Sequence, residues 1–236
     1  MLSDLRGSRG TERVAESAAS AQIEQVIADL LGSGEMRADD GTVHRLFPVA
    51  IPPEEGQELR DWVVREDAKS TIEIGLAYGV SALFICQGLV MNGDDGARHT
   101  VLDPNQATRF ANCGLQALAR AGVAQMIEHH PDESQTALPR FVAEGRRFDL
   151  AFVDGNHRYD AVFLDLIYLG RLVRGGGIIF LDDYQLPAVA RAVSFCVTNL
   201  DWTIEKVSSP DAHHQWAVLR TTAKPKERAF DYFVDF

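Results

Sequence analysis

The chain has 236 residues, 46% of them hydrophobic, which is typical of one globular domain with a small helical addition. Its net charge of −11 argues against a nucleic-acid partner, since nucleic-acid-binding proteins usually present a basic face. No apolar run approaches the roughly 20 residues of a membrane span, and the N-terminus lacks the apolar core of a signal peptide. The cysteines are predicted to be buried free thiols, which indicates a cytoplasmic protein; they are Cys86, Cys113 and Cys196.

The first 65 residues are predicted to be mainly helical. Residues 1–10 are rich in glycine, serine and charged residues and are predicted to be mobile. Apolar residues at helical spacing predict a helix over residues 11–32, which ends at the glycines that follow. A polar segment follows to about Thr42, and prolines then predict an irregular stretch from His44 to Pro53. A second helix is predicted from Glu54 to Arg65.

From Thr71 onward, short apolar strands alternate with amphipathic helices. This alternation predicts an α/β fold with a doubly wound, mostly parallel sheet covered by helices on both faces. A turn at residues 208–211 joins the last two strands into an antiparallel edge hairpin. The predicted strands are Thr71–Gly75, Thr100–Asp103, Met126–His129, Leu150–Asp154, Gly177–Asp182, Trp202–Val207 and Gln215–Arg220. The predicted helices are Val80–Met91, Gln106–Ala121, Gln135–Glu144, His157–Val173 and Pro187–Thr198.

The segment Thr71–Ser81 is predicted to run from a buried strand through a tight turn into a helix. Gly75 lets the chain turn sharply, and Gly79 lets a ligand approach the first helical turn. The dinucleotide fingerprint G-x-G-x-x-G is absent, because Ala77 replaces its middle glycine and Val80 its third. The pattern therefore favours a nucleoside-type ligand over a pyrophosphate and disfavours a dehydrogenase. The alternative is that the two glycines only close a turn.

Acidic and polar residues recur at the predicted carboxyl ends of the strands, where open α/β sheets bind ligands. Glu73 places a carboxylate where a ribose hydroxyl or an ammonium group could bind. Asp103 suits the two hydroxyls of a ribose, although an aspartate before a helix is also a good N-cap. Ser134 is predicted to cap the helix that starts at Gln135, which is explanation enough, and a contact to a purine edge is the minority interpretation.

Three aspartates end two neighbouring predicted strands, and parallel neighbours lie about 4.8 Å apart. They are Asp154, Asp182 and Asp183. Carboxylates this close repel one another unless a cation joins them, and oxygen ligands favour Mg²⁺ or a similar hard metal. The alternative is that one aspartate caps a helix and another faces solvent.

Histidines accompany this group. His157 follows Asp154 by three residues and is predicted on the first turn of the next helix, over the same strand end. There it could take a proton from a substrate hydroxyl held by the metal. A surface histidine at a helix start is the alternative. The pairs His129–His130 and His213–His214 are predicted to be surface or acceptor-pocket residues in loops.

Three motifs resemble those of class I S-adenosylmethionine (SAM)-dependent methyltransferases. They are EIGLAYGVS at 73–81, FVDGNHRY at 152–159 and GGGIIFLDDY at 175–184. The chain is most similar to the metal-dependent small-molecule O-methyltransferases of catechol, caffeoyl-CoA and macrocin or mycinamicin type. The resemblance covers about Ile51–Arg220 and implies a Rossmann-like, seven-stranded sheet. It divides the chain into an N-terminal helical segment that caps the acceptor (1–50), a SAM-binding catalytic domain (51–222) and an aromatic C-terminal tail (223–236).

The resemblance also implies roles for the matching positions. SAM would be bound at its methionine part, ribose and adenine by Glu55, Gly56, Glu73, Gly75, Ala77, Ser81, Asp103, Pro104, Ser134 and Asp154, with Gln135 beside the adenine. A divalent metal, Mg²⁺, would be bound by Asp154, Asp182 and Asp183. His157 would be the base, and Asp154 would join it in catalysis. The segment before Ser134 lacks the glycine that is usual in the family.

The implied reaction is methyl transfer from SAM to an oxygen of a small molecule such as a sugar, a natural product or a catechol-like compound. Two alternatives stay open: metal-independent N-methylation, with the aspartates orienting an amine, and a non-catalytic SAM-binding protein. Neither nucleic acid nor a membrane is an expected partner. The N-terminal helix and the aromatic tail form either a contact between two copies or a lid over the pocket.

Overall fold

The structure, a computed structural model, describes residues 4–224 and 227–236, with side chains from residue 18 onward. The helices are α1 Asp4–Ser33, α2 Pro53–Arg65, α3 Val80–Met91, α4 Cys113–Arg120, α5 Ser134–Ala143, α6 Tyr159–Leu172 and α7 Pro187–Leu200. The strands are β1 Glu35–Arg37, β2 Val43–Arg45, β3 Ser70–Ile74, β4 Arg98–Leu102, β5 Ile127–His130, β6 Phe148–Val153, β7 Val173–Leu181, β8 Thr203–Val207 and β9 Ala217–Arg220. Within these residues, every helix is too short or too polar to span a bilayer.

Seven strands form one sheet in the order β5–β4–β3–β6–β7–β9–β8. β6 runs parallel to both β3 and β7, whereas β9 is antiparallel to both β7 and β8. The predicted α/β fold, with a mostly parallel seven-stranded sheet and an antiparallel C-terminal edge hairpin, is therefore confirmed. β1 and β2 form a separate antiparallel pair.

The chain divides into two compact units, each built from segments that are distant in sequence. Among the described residues, one unit comprises residues 4–69, Ala77–Arg98 and Asn105–Ile127 and contains α1 to α4. The other comprises Ser70–Leu76, His99–Pro104 and the chain from Glu128 onward, and contains most of the large sheet with α5, α6 and α7.

The core of the sheet-containing unit joins apolar side chains of the strands to those of α5, α6 and α7. The last five residues of β7 are all buried, as are five of the six residues of β6. Continuous apolar runs of this kind are typical of central parallel strands. Members of this core include Ile72, Ala151, Ile179, Leu138, Leu166 and Val193.

In the helical unit, α3 is buried through ten consecutive residues, from Val80 to Leu89. A helix that is apolar on all sides has no face for solvent, and both α1 and α2 pack against it. Its bounds are those predicted from the sequence. The prediction of buried free thiols is also confirmed for all three cysteines.

Several predicted boundaries are wrong. Residues 4–10 belong to α1, so the helix begins well before the predicted residue 11, and residues 1–3 lie outside the described part of the chain. The stretch between α1 and α2 contains the hairpin of β1 and β2, where a polar and irregular segment was expected. The helix expected over Gln106–Ala121 is reduced to α4, because Ala111 and Asn112 adopt the left-handed φ values of 48° and 56° that interrupt a helix.

Gly75 adopts a backbone conformation that other residues avoid. Its φ is +96°, and a Cβ atom there would lie 2.1 Å from the carbonyl oxygen of Asp154. That oxygen belongs to the backbone and cannot move away cheaply, so a side chain adds steric overlap to conformational strain. Gly145 is a matched control, because its φ is +73° but nothing lies within 4 Å of its Cβ position.

We expect Gly145→Ala to lower the free energy of unfolding by about 1 kcal/mol, the cost of a left-handed backbone with a side chain. Gly75→Ala should lower it by about 3 kcal/mol or more, because the overlap adds to the same strain. Urea denaturation followed by circular dichroism measures both values. Equal losses in the two variants would contradict the steric argument.

Candidate active site

The carboxyl ends of β3, β6 and β7 lie side by side. Ile74 pairs with Val153, and Val153 pairs with Leu181, so these three strands end at the same level. Backbone hydrogen bonds continue the pairing one residue further: the N–H of Asp154 donates to Ile74 (2.9 Å), and that of Asp182 donates to Val153 (3.1 Å). The sheet therefore brings Gly75, Asp154 and Asp182 to one edge.

Asp103 lies next to the glycine turn. Its side chain is 4% exposed, and Oδ2 accepts a hydrogen bond from the backbone N–H of Leu76 at 3.2 Å. The N-cap interpretation of Asp103 is wrong, because the next helix begins only at Cys113 and has Asn112 at its N-cap. A buried carboxylate that is anchored to the turn in this way suits a ligand with hydroxyl groups.

Glu73 is fully buried within β3 and is paired with a histidine. His99, on the neighbouring strand β4, has its Nε2 3.0 Å from Oε2 of Glu73 and its Nδ1 2.9 Å from Oγ1 of Thr71. Sequence reasoning missed this contact. The available signal was that the polar residues Thr71 and Glu73 lie two apart, and so on one face of a strand, while His99 directly precedes the next predicted strand, Thr100–Asp103.

His157 lies between two carboxylates. Its Nε2 is 3.4 Å from Oδ1 of Asp154, and its Nδ1 is 3.3 Å from Oδ2 of Asp183. The neighbouring carboxylate of Asp154 raises the pKa of His157, and burial raises the pKa of Asp154. The helix position predicted for His157 is wrong, because α6 begins at Tyr159 and the imidazole belongs to the preceding loop.

The three side chains could hold a metal ion. Asp154, His157 and Asp183 each offer one ligand atom, and these atoms all lie within 4.8 Å of one another. Carboxylate oxygens and an imidazole nitrogen are normal ligands of divalent cations, so the donor set fits such an ion. Asp183 has a left-handed φ of 54°, a strained conformation of the kind that often occurs at functional sites.

Asp182 makes different contacts. It is 3% exposed, and its Oδ1 accepts the backbone N–H of Asp183 at 2.6 Å and lies 3.2 Å from Nδ1 of His214. His214 was expected only as a surface or acceptor-pocket residue. The strand register accounts for the contact: His214 precedes β9, whose Ala217 pairs with Leu181, so the histidine lies near the end of β7. His213 is exposed.

Ser134, which is predicted to lie beside the adenine of SAM, contacts a buried acid, Asp165, that the sequence did not reveal. Ser134 is the first residue of α5, and the expected helix cap is wrong, because Glu133 is the N-cap and no side chain makes a capping hydrogen bond. The Ser134 hydroxyl instead bonds the carboxyl of Asp165, which is 1% exposed. Burial raises the pKa of Asp165 to about 7. Pro104 and Gln135 are exposed.

Four of the residues predicted to bind SAM lie in the helical unit. Glu55 and Gly56 are buried on α2, where a Cβ on Gly56 would lie 2.2 Å from the ring of Phe84. Ser81 is buried in the first turn of α3. Ala77 has a left-handed φ of 44°, so the residue that replaces the middle glycine of the fingerprint adopts a conformation that favours glycine.

Comparison with known proteins adds a family match. Residues 72–184 match the family model described as a methyltransferase domain. Tricin synthase 2 of Oryza sativa subsp. japonica is 32% identical over 139 residues, which are 57% of this chain and 44% of that protein. Tapetum-specific methyltransferase 1 of Arabidopsis thaliana is 31% identical over 148 residues, which are 61% of this chain and 60% of that protein. The chain therefore spans less than two thirds of these curated relatives.

Solved structures show the same fold. The O-methyltransferase TomG from Streptomyces achromogenes, involved in tomaymycin synthesis and solved in complex with SAM, superposes with a TM-score of 0.65. The alignment covers 85% of this chain and 89% of that chain at 20% sequence identity. At this identity, the likeness establishes a common fold.

Asp165 should make stability depend on pH. Below about pH 4 the carboxyl of Asp165 is protonated in both the folded and the unfolded protein. Between about pH 4 and pH 7 this carboxyl ionises only when the protein unfolds. The folded state therefore loses stability as the pH rises through this window, by roughly 4 kcal/mol in total.

Replacing Asp165 by asparagine removes this titration. We expect the free energy of unfolding of Asp165→Asn, relative to that of the unsubstituted chain, to increase steadily from pH 4 to pH 7 and then to level off. Asp160→Asn, at an exposed site on the same helix, controls for the change in net charge. Denaturant titrations at several pH values measure the difference, and a difference independent of pH would contradict the assignment.

Proposed function

We propose that this chain is a SAM-dependent O-methyltransferase that acts on a hydroxyl group of a small molecule and uses a divalent metal and a histidine base. One observation carries the proposal: the side chains of Asp154, His157 and Asp183 converge at the carboxyl edge of the sheet. All three residues lie within the segment 72–184 that matches the methyltransferase domain. Of the family branches, the macrocin type is the one whose DG-x-H-x-Y motif resembles residues 154–159.

The cofactor side of the proposal rests on two buried carboxylates. Glu73 would receive the ammonium group of the methionine part of SAM, and Asp103, anchored to Leu76, would accept hydrogen bonds from the ribose hydroxyls. Ser134, Pro104 and Gln135 are proposed for the adenine, whereas the roles of Glu55, Gly56, Ala77 and Ser81 rest on the resemblance alone. SAM would supply the methyl group.

The metal side rests on the acidic edge. Asp154 and Asp183 would hold the ion. Asp182, which like Asp183 follows the end of β7, would be the third carboxylate. A bound divalent cation lowers the pKa of a hydroxyl that coordinates it and stabilises the negative charge that develops during attack. The protein's own contribution is to fix the aspartates on the sheet and to hold His157 between two of them, where the neutral imidazole would accept the proton of the acceptor hydroxyl.

A second candidate function is metal-independent N-methylation, and one observation favours it. His157 lies within 3.4 Å of both carboxylates and has a raised pKa, so an imidazolium could supply the positive charge that the aspartates require. The aspartates would then orient an amine. A non-catalytic SAM-binding protein is the third reading, and it leaves this set of side chains without a purpose. Metal dependence separates the first two candidates.

His157→Ala should lower kcat by roughly 100- to 10,000-fold, the usual contribution of a general base. The affinity for S-adenosylhomocysteine (SAH) should stay unchanged, because the imidazole is not proposed to contact the cofactor. SAH release would be measured with catechol, caffeoyl-CoA and sugar acceptors, and SAH binding by calorimetry. His213→Ala, at the exposed histidine, is the matched control and should retain full activity. Equal turnover in both variants would exclude His157 as the base.

Chelation should abolish turnover if the proposed metal is required. We expect EDTA to stop SAH release with hydroxyl acceptors and Mg²⁺ to restore it, while Asp183→Asn should weaken the binding of Mn²⁺ measured by electron paramagnetic resonance. Asp160→Asn serves as the control aspartate, because it is exposed and is not one of the three side chains of the cluster, Asp154, His157 and Asp183. An unchanged rate in EDTA would reject the metal, and transfer to amine acceptors under that condition would support the second candidate.

A further inference from the structure

Three polar side chains are fully buried in two neighbouring strands of the sheet. Thr71 and Glu73 belong to β3 and His99 to β4, and each is 0% exposed. Polar groups in such a place cost free energy unless they are hydrogen-bonded, so apolar side chains would be the simpler solution for a sheet interior. The set therefore requires an explanation beyond packing.

The hydrogen bonds of this set have a defined direction. An ionised Glu73 can only accept, so Nε2 of His99, at 3.0 Å, must carry a proton and donate it. When the imidazole is neutral and carries its proton on Nε2, Nδ1 is an acceptor, and the hydroxyl of Thr71 donates to it at 2.9 Å. The carboxylate thus requires the proton on Nε2, the hydroxyl of Thr71 holds the other ring nitrogen, and the imidazole N–H holds one oxygen of the carboxylate.

The position of Glu73 connects this chain of hydrogen bonds to the site. The residue lies two positions before Gly75, at the carboxyl end of β3, where ligands of open α/β sheets bind. A carboxylate that receives a charged ligand group gains specificity when its orientation is fixed beforehand, because no side-chain freedom is then lost on binding.

We infer that His99, oriented by Thr71, is a positioning residue that holds the carboxylate of Glu73 ready for the ammonium group of the SAM methionine part. This inference rests on the proposed function. His99 itself touches neither the cofactor nor the acceptor in this scheme. The competing explanation is that the three side chains only fix β3 against β4.

Two ligands distinguish the explanations. SAH has the amino-acid part, whereas 5′-methylthioadenosine has the nucleoside and the sulfur but no ammonium group. His99→Leu should weaken SAH binding roughly 10- to 100-fold, as expected for the loss of a hydrogen bond to a charged group, and leave methylthioadenosine binding within about twofold. The KM for SAM should rise more than kcat falls.

The matched variant is His99→Gln, whose amide can donate to Glu73 and accept from Thr71, and it should restore most of the SAH affinity. Thr71→Val removes the hydroxyl with little change in shape and should weaken SAH binding by a smaller factor, which provides a test if His99→Leu does not fold. In a Glu73→Gln background, His99→Leu should cause little further loss, because both substitutions disable one interaction.

Calorimetric titration of the full chain with the two ligands decides the matter. Equal weakening of SAH and methylthioadenosine would overturn the inference in favour of a structural role, and so would unchanged SAH affinity in the His99 and Thr71 variants. Failure of the unsubstituted chain to bind SAH would overturn the proposed function and this inference together. SAH-selective weakening with rescue by glutamine would support both.

Discussion

The candidate site depends on the register of three parallel strands. Because Ile74, Val153 and Leu181 are paired in one row, the chain leaves the sheet at the same level three times. A one-residue slip would reverse the side of the sheet to which every side chain of a strand points, and the buried apolar residues on these strands prevent such a slip. The hydrophobic core thus fixes the spacing of acidic groups that repel one another.

Buried acids are tolerated here because each has a hydrogen-bond donor nearby. Glu73 has His99, Asp103 has the N–H of Leu76, and Asp182 has the N–H of Asp183. Removing a carboxylate from water costs several kcal/mol unless such partners compensate for the lost hydration. Asp165 is the contrasting case, since a hydroxyl alone leaves its pKa raised to about 7. The polar groups of the edge therefore form local pairs, each attached to backbone that the sheet holds in place.

Local backbone strain occurs at the turns that leave the strands. Gly75, Ala77 and Asp183 all have positive φ, and two of the three are residues for which this conformation costs on the order of 1 kcal/mol. In the sheet-containing unit, the strained turn at Asp183 turns its carboxylate towards His157, 3.3 Å away. Such strain persists only where the surrounding structure compensates for it, and here well-packed strands precede both turns.

The sequence alone determined the strand–helix alternation, the acidic strand ends and the glycine turn, because hydrophobic runs and glycines act over a few residues. Local patterns failed where distant segments meet. The polar residues on one face of the strand at Glu73 indicate a buried polar contact, but they do not identify His99, 26 positions away, as the partner. Nor does the sequence near Asp182 identify His214, since strand pairing brings each pair together. Only the tertiary structure decided those contacts, because the hydrogen-bond partners of a buried side chain come from whichever strand the fold places beside it.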